Sequence, residues 1–81
     1  MADFFDMTKW VNQAREAISP ATPTYILYLG HSLYEARWLH KSIPDNELKA
    51  LRKISYIQIV KEPFVLSDFP DWIAIQFVWR R

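Results

Sequence analysis

Apolar residues recur at helical spacing at the start of the chain. Phe4, Met7, Trp10, Val11, Ala14 and Ile18 fall within about 120° of a 3.6-residue wheel, and Asp3 with Asp6 three positions on supplies a capping pattern. A first amphipathic helix is expected there. Pro20 and Pro23 end it and lead into Tyr25-Ile26-Leu27-Tyr28-Leu29, closed by Gly30. An unbroken apolar run of strand length reads as an inner strand covered on both faces. Ser32 followed by Glu35 resembles a capping box, which predicts a second helix from Leu33 to about Ser42 burying Leu33, Ala36, Leu39, His40 and Ile43. Asp45 after Pro44 is placed to cap a third helix that buries Leu48, Leu51 and Ile54 and turns Lys49, Arg52 and Lys53 outward. The pattern then becomes strand-like over Tyr56 to Val60, Phe64 to Leu66 and Trp72 to Trp79, with turn residues from Ser67 to Asp71 making the last two a hairpin.

The expected order is α-β-α-α-β-β in one domain spanning residues 1–81. It predicts a small two-layer α+β sandwich, with a three-stranded mixed sheet and helices mainly on one face. In the last strand Ile73, Ile75, Phe77 and Trp79 share one side, while Trp72, Ala74, Gln76 and Val78 share the other. Neither side is plainly polar. Helices on one face would leave aromatic surface on the other, and such a patch needs a lid or a partner.

Composition narrows the chemistry. Among 81 residues there are four Trp, four Tyr and five Phe but no Cys, which removes disulfides, thiolate zinc sites and cysteine nucleophiles. The start, Met-Ala-Asp-Phe-Phe-Asp, lacks a basic flank before an apolar run, and no stretch is long and apolar enough for a membrane span, so a cytoplasmic protein is expected. The net charge of +1 hides a gradient: residues 1–36 sum to −2, residues 37–61 to +4 and residues 62–81 to −1. The middle third is therefore the only candidate basic surface.

Catalytic patterns are thin. Gly30-His31-Ser32 joins the first strand to the expected second helix, where free backbone N–H groups would favour an anion, but the glycine spacing of a phosphate-binding loop is missing and a plain βα turn is preferred. His31 and Glu35 stand four apart, yet no serine lies in a nucleophile elbow, and two histidines without further soft ligands do not make a zinc site. His40 falls on the apolar arc of its expected helix and reads as a core histidine. No enzyme, cofactor or metal is expected.

Binding surfaces are better signalled. Tyr34 and Trp38 lie off the apolar stripe of the expected second helix, and Phe64, Phe69 and Trp72 crowd a turn-rich segment beside Asp68 and Asp71. Phe5, off the stripe of the first helix, is a similar case. Together Phe5, Tyr34, Trp38, Phe64, Phe69 and Trp72 suggest a non-enzymatic module that regulates or inhibits another protein by occluding it, with a homodimer through the same surface as the nearest variant. The size and composition are those of small phage-like regulators, an analogy and no more. The alternative is a nucleic-acid-binding module in which Arg37, Lys41, Lys49, Arg52 and Lys53 contact phosphates while Tyr34 or Trp38 stacks on bases.

Overall fold

A computed structural model describes the backbone of residues 3–80 and the side chains of residues 8–80. Its order is α1 (Asp3–Ala17), β1 (Tyr25–Gly30), β2 (Leu33–Trp38), α2 (Asp45–Lys53), β3 (Ile57–Leu66) and β4 (Phe69–Trp79). The α+β class stands, but the three-stranded mixed sheet does not. Two helices accompany a four-stranded, wholly antiparallel sheet in the order β1-β2-β4-β3. Because β2 and β3 both run antiparallel to β4, they are parallel to each other and are joined through α2.

The correction lies at residues 33–38. Leu33-Tyr34-Glu35-Ala36-Arg37-Trp38 forms strand β2 where a second helix is expected, and its side chains alternate: Tyr34, Ala36 and Trp38 enter the core while Glu35 and Arg37 face the opposite way. The Ser32–Glu35 pair caps nothing. His31 and Ser32 instead form the two-residue turn of the β1–β2 hairpin with φ of 54° and 65°, the double left-handed pattern that suits the twist of paired strands. Gly30, at φ 92°, precedes them in a conformation that favours glycine. Beyond β2 the chain is irregular, so Leu39 and His40 are exposed and only Ile43 of that segment is buried.

The helices form as their periodicity predicts. Ala14 and Ile18 are buried, Val11 packs against them, and Trp10 meets Tyr28 edge-on with ring centroids 5.0 Å apart. Asp3, Phe4, Asp6 and Met7 fall outside the described side chains. In α2 Leu51 is buried with Leu48 and Ile54 against the same core, while Lys49, Arg52 and Lys53 are exposed. Asp45 is the first helical residue; Pro44 holds the cap position, without a side-chain cap.

Both helices cover one face of the sheet. The core between them is dominated by a cross-strand row in which Tyr28, Tyr34 and Phe77 are partners on β1, β2 and β4, with Tyr34 stacked on Phe77 at 5.5 Å. Principal extents of 37 × 30 × 19 Å fit two layers, since a sheet and a helix layer are each about 10 Å thick. The expectation that β1 is an inner strand therefore also fails: it is an edge strand, and its run is apolar because Ile26 and Tyr28 face the core while Tyr25 and Leu27 lie on the side without helices.

Glu47 ties the layers together. It accepts hydrogen bonds from the Thr22 backbone N–H, from the Thr22 hydroxyl at 3.1 Å and from the Trp38 indole at 3.0 Å, joining the α1–β1 loop, β2 and α2. Burial pushes its carboxyl pKa up, but the Thr22 and Trp38 donors and the nearby His40 outweigh that and hold it below the ordinary value. Tyr56 donates its hydroxyl to the carbonyl of Ala17 at 2.7 Å, satisfying one of the orphan acceptors at the end of α1.

Candidate protein-binding surface

Strand pleating sends every second residue to the face that the helices leave uncovered. The pairing places three rows there. Leu33 stands opposite Val78, which stands opposite Gln58; Leu27, Glu35, Gln76 and Lys61 form the next row; Tyr25, Arg37, Ala74 and Phe64 form the third. Trp72 lies beside the third row, its ring 5.2 Å from that of Tyr25 at 66°. The surface is thus a sheet of aliphatic and aromatic side chains with a charged centre.

That centre is a continuous network. Arg37 donates from Nε to Glu35 Oε2 at 2.6 Å and from Nη1 to the Tyr25 hydroxyl at 2.7 Å. Gln76 donates from Nε2 to the other Glu35 oxygen at 2.8 Å. Both carboxylate oxygens are therefore satisfied, which is what allows Glu35 to be only 5% exposed on a face without helices. Burial works against the Arg37 charge, but bonding to Tyr25 and Glu35 more than compensates, so its pKa lies above the ordinary arginine value and the guanidinium remains charged. Its Nη2 makes no hydrogen bond to a described residue. Lys61 Nζ sits 4.1 Å from the centre of the Phe64 ring, a cation–π contact that holds the ammonium over an aromatic surface.

The side chains singled out from sequence divide. Phe64 and Trp72 are half-buried members of this face. Phe69 is 57% exposed near the β3–β4 turn, away from the network. Tyr34 and Trp38 are each 1% exposed and belong to the core, because β2 turns both toward the helices. Phe5 lies outside the described side chains. The basic set is split as well: Arg37 belongs to the uncovered face, Lys41 to the loop after β2, and Lys49, Arg52 and Lys53 to α2 on the other side. Arg52 is moreover engaged with Glu62 through two hydrogen bonds, at 2.6 and 3.3 Å. Without Tyr34 or Trp38 to stack on bases, that set loses its aromatic component.

Glu35 is also removed from the pairing with His31 that its spacing suggested. His31 is at the hairpin turn, and the Glu35 oxygens are taken by Arg37 and Gln76. Tyr25, Glu35 and Gln76 are the members of the network that sequence reasoning did not place. The available signal was the period-two alternation of residues 33–38, which sets Glu35 and Arg37 on one side and Tyr34, Ala36 and Trp38 on the other.

One hollow of about 180 Å³ is lined by Ser55, Tyr56, Ile57, Gln58, Val78 and Arg80, and another of about 230 Å³ by Leu51, Arg52, Ile57, Ile59 and Glu62. Both fall below the roughly 300 Å³ at which small-molecule sites begin, and neither includes the Glu35–Arg37 network. Among the described residues no group of three or more His, Asp or Glu is gathered for a metal, and no helix is long and apolar enough to cross a membrane. No protein-family model matches the chain, and no curated protein or solved structure shows significant similarity to it.

Proposed function

We propose that this chain is a non-enzymatic binding module that docks another protein on the helix-free face of its sheet and acts by occluding it. The observation that carries this reading is the composition of that face. Tyr25, Leu27, Leu33, Phe64, Trp72 and Val78 surround a hydrogen-bonded Glu35–Arg37–Gln76 centre in which both Glu35 oxygens are satisfied. Large apolar side chains around a desolvated charged pair are the makings of an interface core, where aromatic anchors supply affinity and bonded charges fix register. Among the described residues, Arg37, Lys61 and Arg80 just past β4 outnumber the acid Glu35 on the even-numbered side of β4 and its partners, which favours a partner surface that is apolar with acidic groups at its margin.

The test compares two surfaces of one protein. Tagged wild type and a Phe64→Ser, Trp72→Ala variant are used to capture partners from the native lysate, beside a Lys49→Glu, Lys53→Glu variant on α2. Loss of a captured protein in the first variant only is the expected result. Capture that depends on α2 instead, or retention of nucleic acid at low salt that Lys49→Glu, Lys53→Glu abolishes, would replace this reading with the nucleic-acid one.

A further inference from the structure

The two edges of the sheet are built differently. The β3 edge carries Lys61, Glu62 and Pro63 and is interrupted by register shifts at three places, the devices by which an exposed edge avoids pairing with another strand. β1, the other edge, reads Tyr-Ile-Leu-Tyr-Leu-Gly, with neither a formal charge nor a proline, and its single register shift lies at the turn end between Tyr28 and Gly30. Apart from β2, no strand of the sheet pairs with β1. Leu29, 44% exposed, adds apolar surface at the same edge.

We propose that a second copy of this chain pairs with the free edge of β1, antiparallel and about a two-fold axis, so that two four-stranded sheets become one continuous sheet. Centring the pair on Leu27 sets Leu27 against its own copy, Tyr25 against Leu29, and Ile26 against Tyr28. Every facing pair is then apolar on both sides, with no like charges opposed, whereas β3 would bring its own Lys61 and Glu62 into any such contact. A two-fold axis perpendicular to the sheet keeps both helix layers on one side and both uncovered faces on the other. The pairing leaves the docking face of each copy open; Tyr25 and Leu27 border both surfaces, and sedimentation of the purified chain reads the dimer separately from partner capture. Strand pairing over one short edge buries less than a standard interface of about 1,200 Å², which makes the dimer weak and reversible.

Sedimentation equilibrium of the full chain is expected to show a mass rising from 9.7 kDa toward twice that over a range of about 1–500 µM. Leu27→Lys and Leu27→Glu place like charges across the axis and are each expected to stay monomeric with an unchanged far-ultraviolet spectrum, while a mixture of the two regains the dimer. The absence of native cysteine allows a second readout: Leu27→Cys cross-links on oxidation and Trp72→Cys does not. A wild type that stays monomeric throughout overturns the proposal. Cross-linking through Trp72→Cys instead of Leu27→Cys also overturns it, in favour of face-to-face association.

Discussion

The two faces of this sheet solve the problem of an apolar strand in opposite ways. On the helix side Tyr34, Trp38, Ile75 and Phe77 are all buried by α1 and α2, so the energy there comes from area removed from water. On the other side nothing from the chain's described helices covers the strands, and Glu35 and Ala74 are nevertheless buried, at 5% and 0% exposure, because neighbouring side chains close over them. The lesson is that low exposure has two causes here. One face is covered by a second layer; the other is shielded by its own hydrogen-bonded side chains.

The largest expected contrast is between two tryptophans. Trp38→Ala removes a fully buried ring and the indole donor to Glu47, and is expected to cost about 3–5 kcal/mol in urea unfolding. Trp72→Ala, on the half-buried open face, is expected to cost about 1–2 kcal/mol. Equal losses would erase the distinction between the faces.

Glu35→Ala tests the shielding itself. It leaves Arg37 and Gln76 without their shared acceptor and is expected to cost about 1–3 kcal/mol, an amount moderated by the partial exposure of the Arg37 side chain. A Glu35→Leu, Arg37→Leu double variant is expected to recover to within about 1 kcal/mol of wild type, since a matched apolar pair needs no bonding. If the double variant is as unstable as the single one, the network contributes more than the satisfaction of its own charges.

Glu47→Gln sharpens the comparison from the covered side. The carboxyl pKa of Glu47 is depressed by the fold, so the ionised group's contribution is complete above the ordinary glutamate value, about pH 4.3, and is lost as pH falls through the folded value. The variant is expected to be about 1–2 kcal/mol less stable at pH 7 and to converge with wild type in acid, read by urea unfolding at pH 7, 5 and 3. The smallest effect belongs to Arg52→Ala. Its pair with Glu62 is exposed on both sides, and any change in midpoint should vanish in high salt.

How much of this was legible beforehand depends on where the energetics are local. α1 and α2 follow from apolar spacing, because a helix buries one stripe against whatever covers it. β2 was hidden by a coincidence: Ser32 and Glu35 stand at capping-box spacing, while the deciding preference was for a tight hairpin after Gly30 and an alternation whose two sides meet different environments. Once β2 is read as a helix, Tyr34 and Trp38 fall outside the buried stripe and Glu35 falls one turn from His31. Spacing alone reaches only the Glu35–Arg37 half of the network, two residues apart on β2; Gln76 joins it through the β2–β4 register. Phe64 and Trp72 are singled out in the sequence as rings crowding a turn-rich segment; they stand instead within β3 and β4, on the uncovered side of the sheet.

The position of β4 has a consequence for how the chain acquires its shape. It follows every other strand in sequence yet lies between β2 and β3 in the sheet. As the polypeptide leaves the ribosome, the β1–β2 hairpin and both helices emerge before the strand that joins the halves, and β3 has nothing to pair with. Productive folding therefore waits for residues 69–79, which bring Ile75 and Phe77 opposite Ala36 and Tyr34 and give β3 its partner.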